Sequence, residues 1–139
     1  MRCLGLDLGS KTLGISISDL TNCIASLYTT LYFKDEDYDS LLKPLGEIIS
    51  REKIDTIVLG LPKNMNNSLG ERAMITLEFK QMLEDNLGLK VIMEDERLTS
   101  VISNNILINA DISRKKRKKV VDGLAAEIIL QSYLDKINR

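Results

Sequence analysis

Apolar positions along this chain recur at two periods, and the switches between them divide it into elements. The opening "RCLGLDLG" (2–9) and "TLGISISD" (12–19) are short, apolar and alternating, as strands are, with a tight turn at Ser10-Lys11 between them. "CIASLYTTLYF" (23–33) continues as a third strand of β-branched and aromatic residues, which predicts an antiparallel meander. The spacing then lengthens. Leu41, Leu42, Leu45, Ile48 and Ile49 recur at helical intervals in "SLLKPLGEIISREK" (40–53), which requires Pro44 to lie in the first turn or to kink the helix. "DTIVLGLP" (55–62) is a near-continuous apolar run, the pattern of a strand covered on both faces. "SLGE" (68–71) matches a capping box and opens a helix through "ERAMITLEFKQMLEDNL" (71–87), stopped by Gly88. "LKVIMEDE" (89–96) reads as another strand. Thr99 is placed to cap a helix through "SVISNNILIN" (100–109), and "VVDGLAAEIILQSYLDKI" (120–137) is the clearest helical pattern of all.

The order is three strands, then helix, strand, helix, strand and two helices. Strand–helix–strand units imply right-handed parallel crossovers beside the meander. The expected architecture is α/β: a mixed five-stranded sheet, a three-stranded antiparallel meander plus parallel strands, with helices on both faces. No repeat, low-complexity tract or linker divides residues 1–139, so a single domain is expected.

Composition narrows the chemistry. Hydrophobic residues make up 44% and charged residues 28% of the 139, the balance of a soluble globular protein. No apolar run approaches the ~20 residues that span a bilayer, and no signal-peptide layout opens the chain, so a cytoplasmic location without membrane partners is expected. Cys3 and Cys23 form no CxxC pair and are expected to be small buried hydrophobes. The chain contains no histidine, which excludes Ser-His-Asp and Cys-His machinery and the usual zinc sites. Net charge is only −1, but its distribution is uneven: "FKDEDYD" (33–39) is acidic, and "RKKRKK" (114–119) is a run of six cations.

Three positions stand out against this background. Asp7 lies alone inside an apolar strand, where an unpaired carboxylate is costly. A hairpin turning at Ser10-Lys11 sets Gly9 opposite Thr12 and Asp7 opposite Gly14, leaving space before the carboxylate. Gly9 and Ser10 leave backbone open to a ligand, and Lys11 is either a phosphate contact or merely solvated. "EDERLTS" (94–100) crowds three acids at a strand end, where α/β proteins place ligands. Alternation sets Asp95 opposite in sense to Glu94 and Glu96, so one parity alone faces a given cleft; Arg97 is a counter-ion or a phosphate contact. Asp122 falls on the last helix, at the edge of a stripe expected to run through Val121, Ala125, Ile128 and Ser132, close after cations that oppose the helix dipole if they occupy its start. A polyanion would relieve that conflict. Carboxylates without histidine suit Mg²⁺ or Mn²⁺, one or two ions, and two such ions serve phosphodiester hydrolysis. The run Arg114, Lys115, Lys116, Arg117, Lys118 and Lys119 would then meet a nucleic-acid backbone.

"LDLGSKTLGISISD", "IVLGLPKNMNNSLGERA", "DERLTS" and "VVDGLAAEIIL" resemble, in order and spacing, the YqgF/RuvX family of bacterial RNase H-like proteins across nearly the whole chain. The resemblance implies an RNase H-like fold over 1–139 and a metal-dependent nuclease that processes the 5′ end of pre-16S rRNA, with ribosomal precursor particles as further partners. The older family description implies instead a Holliday junction resolvase acting on branched DNA. Carried over by motif, the family's acids fall on Asp7, on Glu96 and on Asp122, with Asp95 as an alternative ligand; Ser10, Lys11, Arg97 and the basic run are the implied nucleic-acid contacts. Two departures stand out. Asn66-Asn67 replaces an Asp-Gly-like turn, and the strand ending "LGLP" carries no acid, so a second metal ligand has to come from "EDE" one strand further on. Two other classes compete with this reading. One is a phosphotransferase, since "DLGSKTLG" also resembles the first phosphate loop of actin-like and sugar kinases, which need two such domains. The other is an assembly factor that holds rRNA without cutting it.

Overall fold

The computed structural model describes residues 2–9, 11–34, 37–61, 70–95 and 114–138, with the backbone alone at 95 and 114–123. Five strands form one sheet: β1 (Arg2–Leu8), β2 (Thr12–Ser18), β3 (Ala25–Tyr32), β4 (Ile54–Leu61) and β5 (Lys90–Asp95). Their spatial order is β3-β2-β1-β4-β5. The first three pair antiparallel, while β4 runs parallel to β1 and β5 parallel to β4. The expected meander and parallel extension are both present.

Helices cover both faces. On one side α1 (Leu42–Glu52) and α2 (Glu71–Leu87) enclose the larger core, where Leu4, Leu6, Leu13, Ile15, Ile57, Leu59, Phe79 and Leu83 are fully buried. On the other, α3 (Arg114–Ile137) packs Ile129, Leu130 and Leu134 against Cys3, Ala25 and Val58. Odd-numbered β1 residues face α3 and even-numbered ones face the larger core. This is why "RCLGLDL" is apolar at nearly every position: both faces of the strand are covered.

Local signals account for most element ends. Pro44 is the third residue of α1, where its missing N–H breaks no intrahelical bond. Gly88 ends α2 in the left-handed conformation (φ 67°), its N–H bonded to the Glu84 carbonyl at 3.1 Å. The start of α2 departs from expectation. Its N-cap is the extended Gly70 rather than Ser68, and no side chain caps it. Helix α3 begins inside the basic run, six residues earlier than the apolar pattern suggested. The helix expected over 100–109 lies outside the described residues. Cys3 is buried as expected, but Cys23 is exposed in the β2–β3 turn, because that turn is held by Asp19 rather than by apolar packing. Among the described residues no helix is long and apolar enough to cross a membrane.

Candidate functional site

The β1–β2 hairpin has the expected register. Asp7 pairs with Gly14, and the Gly9 N–H donates to the Thr12 carbonyl at 2.7 Å across the turn. Asp7 therefore projects on the α3 face, half-buried, with no cross-strand side chain opposite it. Gly9 also has a steric role within the hairpin. A Cβ there would come within 3.0 Å of Thr12 Oγ1, so its lack of a side chain makes room for the threonine of its own hairpin.

The carboxyl end of β1 is braced from α2. Pairing between β1 and β4 is recorded as far as Leu6 and Leu59; β4 ends at Leu61, and the next residue is Pro62. Proline has no N–H with which to continue a ladder. Arg72, in the first turn of α2, takes over that role and donates from Nη2 to the Leu8 carbonyl at 2.8 Å. A guanidinium is thereby anchored one residue beyond Asp7. Sequence reading missed Arg72, and the available signal was a strand ending in proline with an arginine at the start of the following helix.

Position 122 is placed by how α3 seats on the sheet. Ser16 Oγ donates to the Ala126 carbonyl at 2.7 Å, and Gly5 lies under Leu130 and Ala126 so closely that a Cβ would be 2.7 Å from Leu130 Cβ. Among the described side chains the buried stripe runs through Ala125, Ala126, Ile129, Leu130 and Leu134; of the expected Val121, Ala125, Ile128 and Ser132, Ala125 is buried, Ile128 and Ser132 are only partly buried, and the side chain of Val121 lies outside the described residues. The reason is the contact itself, since a helix against Gly5 and Ser16 turns its small residue inward and its bulky Ile128 to the flank. Asp122 is one turn before Ala126, on the line of this stripe and not at its edge. From Ala126 to 122 the helix travels about 6 Å, and from Gly5 to Asp7 the strand travels about 6.6 Å in the same sense. From its seat on Gly5 and Ser16, α3 therefore runs back toward the end of the sheet that carries the Asp7–Gly14 pair.

The β5 acids separate. Glu94, aligned with Gly60, is 5% exposed on the α3 face and committed to α3: it accepts from Ser132 Oγ at 3.2 Å and forms an ion pair with Lys136. Position 95 ends the strand opposite Leu61, out of phase with Glu94. Ser10, Glu96 and Arg97 lie outside the described residues, as do the side chains of Asp95, Asp122 and Arg114 to Lys119; the helical backbone begins at Arg114. Lys11 is exposed at the hairpin tip. Among the described residues no three cysteine or acidic side chains lie together as a metal site. The chemistry of the donors still decides what would bind. The soft ligands are remote: Cys3 sits at the opposite end of the sheet, where burial first and the charge of Asp55 second push its thiol up, and Cys23 is exposed in a turn. Oxygen donors remain, and they fit hard divalent cations.

Comparison with known proteins follows the same lines. The family model described as "RuvX: Holliday junction resolvase" matches residues 1–136. A Geobacillus sp. (strain WCH70) protein named "Putative pre-16S rRNA nuclease" is 50% identical over 135 residues, covering 97% of this chain and 98% of its own. A Clostridium botulinum (strain Hall) protein of the same name is 46% identical over 139 residues, the full length of both. Among solved structures, Thermus thermophilus RuvC in complex with a Holliday junction substrate matches with a TM-score of 0.62, covering 99% of this chain and 96% of that one at 13% identity. A fowlpox virus resolvase bound to Holliday junction DNA matches with a TM-score of 0.60 over the whole of both chains at 17% identity. These structural likenesses show a shared RNase H-like fold.

Proposed function

Because the chain belongs to the RuvX family, we propose that it is a divalent-metal-dependent nuclease, one domain over residues 1–139, that hydrolyses phosphodiester bonds in a cytoplasmic RNA precursor, the 5′ end of pre-16S rRNA. Full-length relatives at 46–50% identity bear that name and support RNA as the substrate. The observation that supports the chemistry is that Asp7 projects on the sheet face covered by α3, the helix that carries Asp122 one turn before the Ala126 seated on Ser16. Asp7, Asp122 and Glu96 would hold Mg²⁺ or Mn²⁺, with Asp95 as the alternative to Glu96. A metal held there supplies Lewis acidity at the scissile phosphate and an activated water.

The chain's own residues supply the rest. Arg72 fixes the end of the strand that presents Asp7, so the carboxylate is oriented before substrate arrives. Lys11, Ser10, Arg97 and the basic first turns of α3 meet backbone phosphates, a contact that positions the strand without reading its bases. Precursor ribosomal particles, in which this RNA is held, are the corresponding partners.

The test is cleavage of a 5′-extended 16S transcript with Mg²⁺ or Mn²⁺, by the parent and by Asp7→Asn. The variant should remain folded by circular dichroism and lose activity at least a hundredfold; equal cleavage by both would remove Asp7 from the mechanism. A four-way DNA junction tests the second reading, which the family's description favours. Faster cleavage of the junction than of the transcript would make branched DNA the substrate. RNA binding without turnover at any metal concentration would make the protein an assembly factor.

A further inference from the structure

Among the described residues, the α3 face of the sheet is not covered to its end. Three β3 residues share that face beside the site: Leu27 opposite Ser16, Thr30 opposite Gly14, and Tyr32 opposite Thr12. Helix α3 covers the start of β3, where Ala25 is buried and its N–H donates to Gln131 at 2.8 Å. Further along, Leu27 is 53% and Tyr32 65% exposed. The neighbours of Tyr32 turn the other way: Leu31 packs on the larger core, and Phe33 is buried against Tyr38 with ring centroids 5.4 Å apart. An aromatic ring is therefore left exposed on the same face as Asp7, with no packing role among the described residues to explain it.

Its position suits a nucleotide. Tyr32 is two strands and two residues from Asp7, roughly 12 Å between Cα atoms. That is within reach of a nucleotide adjoining one whose phosphate lies at Asp7. Cations lie nearby in the chain. The Phe33 N–H donates to the Lys11 carbonyl at 3.0 Å, which draws the hairpin tip beside the end of β3, and Lys11 and Lys34, both exposed, lie within two residues of the Thr12–Tyr32 pair. Of the acidic run 35–39, Asp37 and Asp39 flank Tyr38, which packs against Phe79 on the other face of the sheet, and residues 35 and 36 lie outside the described residues. Aromatic rings interleaved with cations are how proteins hold unpaired strands, because every base has a π-face and every nucleotide a phosphate.

We propose that Tyr32 is a stacking platform for an unpaired base of single-stranded nucleic acid, with Lys11 and Lys34 on the adjoining phosphates. This rests on the nuclease reading above, and it adds that the strand entering the site is single-stranded there. Binding is measured without turnover, by anisotropy of a fluorescein-labelled single-stranded oligonucleotide and by quenching of 2-aminopurine within it. Tyr32→Ala should weaken binding roughly tenfold and abolish the quenching, while Tyr32→Phe retains both. The salt dependence should be unchanged in Tyr32→Ala but shallower by about one ion in Lys11→Ala and in Lys34→Ala.

Unchanged affinity and quenching in Tyr32→Ala would overturn the platform, as would equal affinity for a blunt duplex. Dissociation of a protein dimer by the same substitution, read by sedimentation, would also overturn it by making the patch a self-interface. The two readings fail separately. Tyr32-dependent binding without cleavage by the parent removes the nuclease and leaves the platform. Normal cleavage with Tyr32-independent binding does the reverse.

Discussion

Gly5→Ala tests whether the seating of α3 sets the site. The added methyl would lie 2.7 Å from Leu130 Cβ and 3.0 Å from the Ala126 carbonyl oxygen, and it would press on Ser16 Oγ as well. Two of these neighbours belong to α3 and the third is the hydroxyl that bonds to α3, so rotating one side chain relieves nothing. Restoring ordinary carbon contact of ~3.8 Å requires α3 to retreat by about 1 Å. Overpacking of this kind costs about 1–3 kcal/mol, and loss of the Ser16–Ala126 hydrogen bond adds about 1 kcal/mol. Urea unfolding should show a loss of about 3 kcal/mol, a midpoint lower by about 1.5 M at a slope near 2 kcal/mol/M. Backbone position 122 moves with the helix, so cleavage under folding conditions should fall about a hundredfold, the penalty of an ångström's misplacement. Gly46→Ala is the control. Its Cβ meets Leu87 Cδ2 at 3.7 Å, an ordinary contact in mid-helix, and should stabilise by about 0.5–1 kcal/mol. A Gly5→Ala protein with the parent's midpoint would refute the seating of α3, and one destabilised but fully active would refute its coupling to Asp7.

Arg72→Ala should lower kcat of cleavage at least tenfold with KM nearly unchanged, and Arg72→Lys should recover part of it, because the residue acts through the Leu8 carbonyl; a rise in KM alone would contradict this. Lys136→Met leaves the buried Glu94 carboxylate with Ser132 and should cost about 1–3 kcal/mol in chemical denaturation, a loss that Glu94→Gln in the same chain should partly restore. Asp19 accepts from Thr21 Oγ1 at 2.6 Å and from the Ile24 and Cys23 amides, in that order of effect, and these hold its carboxyl below the usual range. Since the folded value is the lower one, its contribution is complete above about pH 3.9 and is lost as pH falls through the folded value. Carboxyl NMR should therefore place the Asp19 midpoint below that of an exposed aspartate, and Asp19→Asn should flatten this part of the acid limb. An ordinary midpoint would contradict the turn geometry.

Much of this protein is legible in one dimension because its elements are short and their periods distinct. Alternation, the Ser10-Lys11 turn, Pro44 and Gly88 act within a few residues, and the strands, the hairpin register and two helix termini follow from them. The register alone set Asp7 opposite Gly14, and the absence of histidine by itself pointed to hard cations as the metal. What the tertiary structure decided depended on contacts between distant segments. A helical wheel groups apolar residues by angle without knowing the opposing surface, so it pointed Ile128 inward; the sheet offered Gly5 and Ser16, which admit only a close backbone, and the helix turned its alanine to them. That rotation moved position 122 from the edge of the stripe to its line. Ser68 has the composition of a cap, yet the helix starts after Gly70, and no local rule favours that choice. The role of Arg72 required knowing that the first turn of α2 meets the Leu8 carbonyl at the end of β1. Glu94 and its neighbours are one acidic run in sequence, but β5 pleating and Lys136 commit Glu94 to the fold. Short-range sterics and periodicity are written along the chain, whereas the rotation of a helix and the partner of an orphaned carbonyl are fixed only when two surfaces meet.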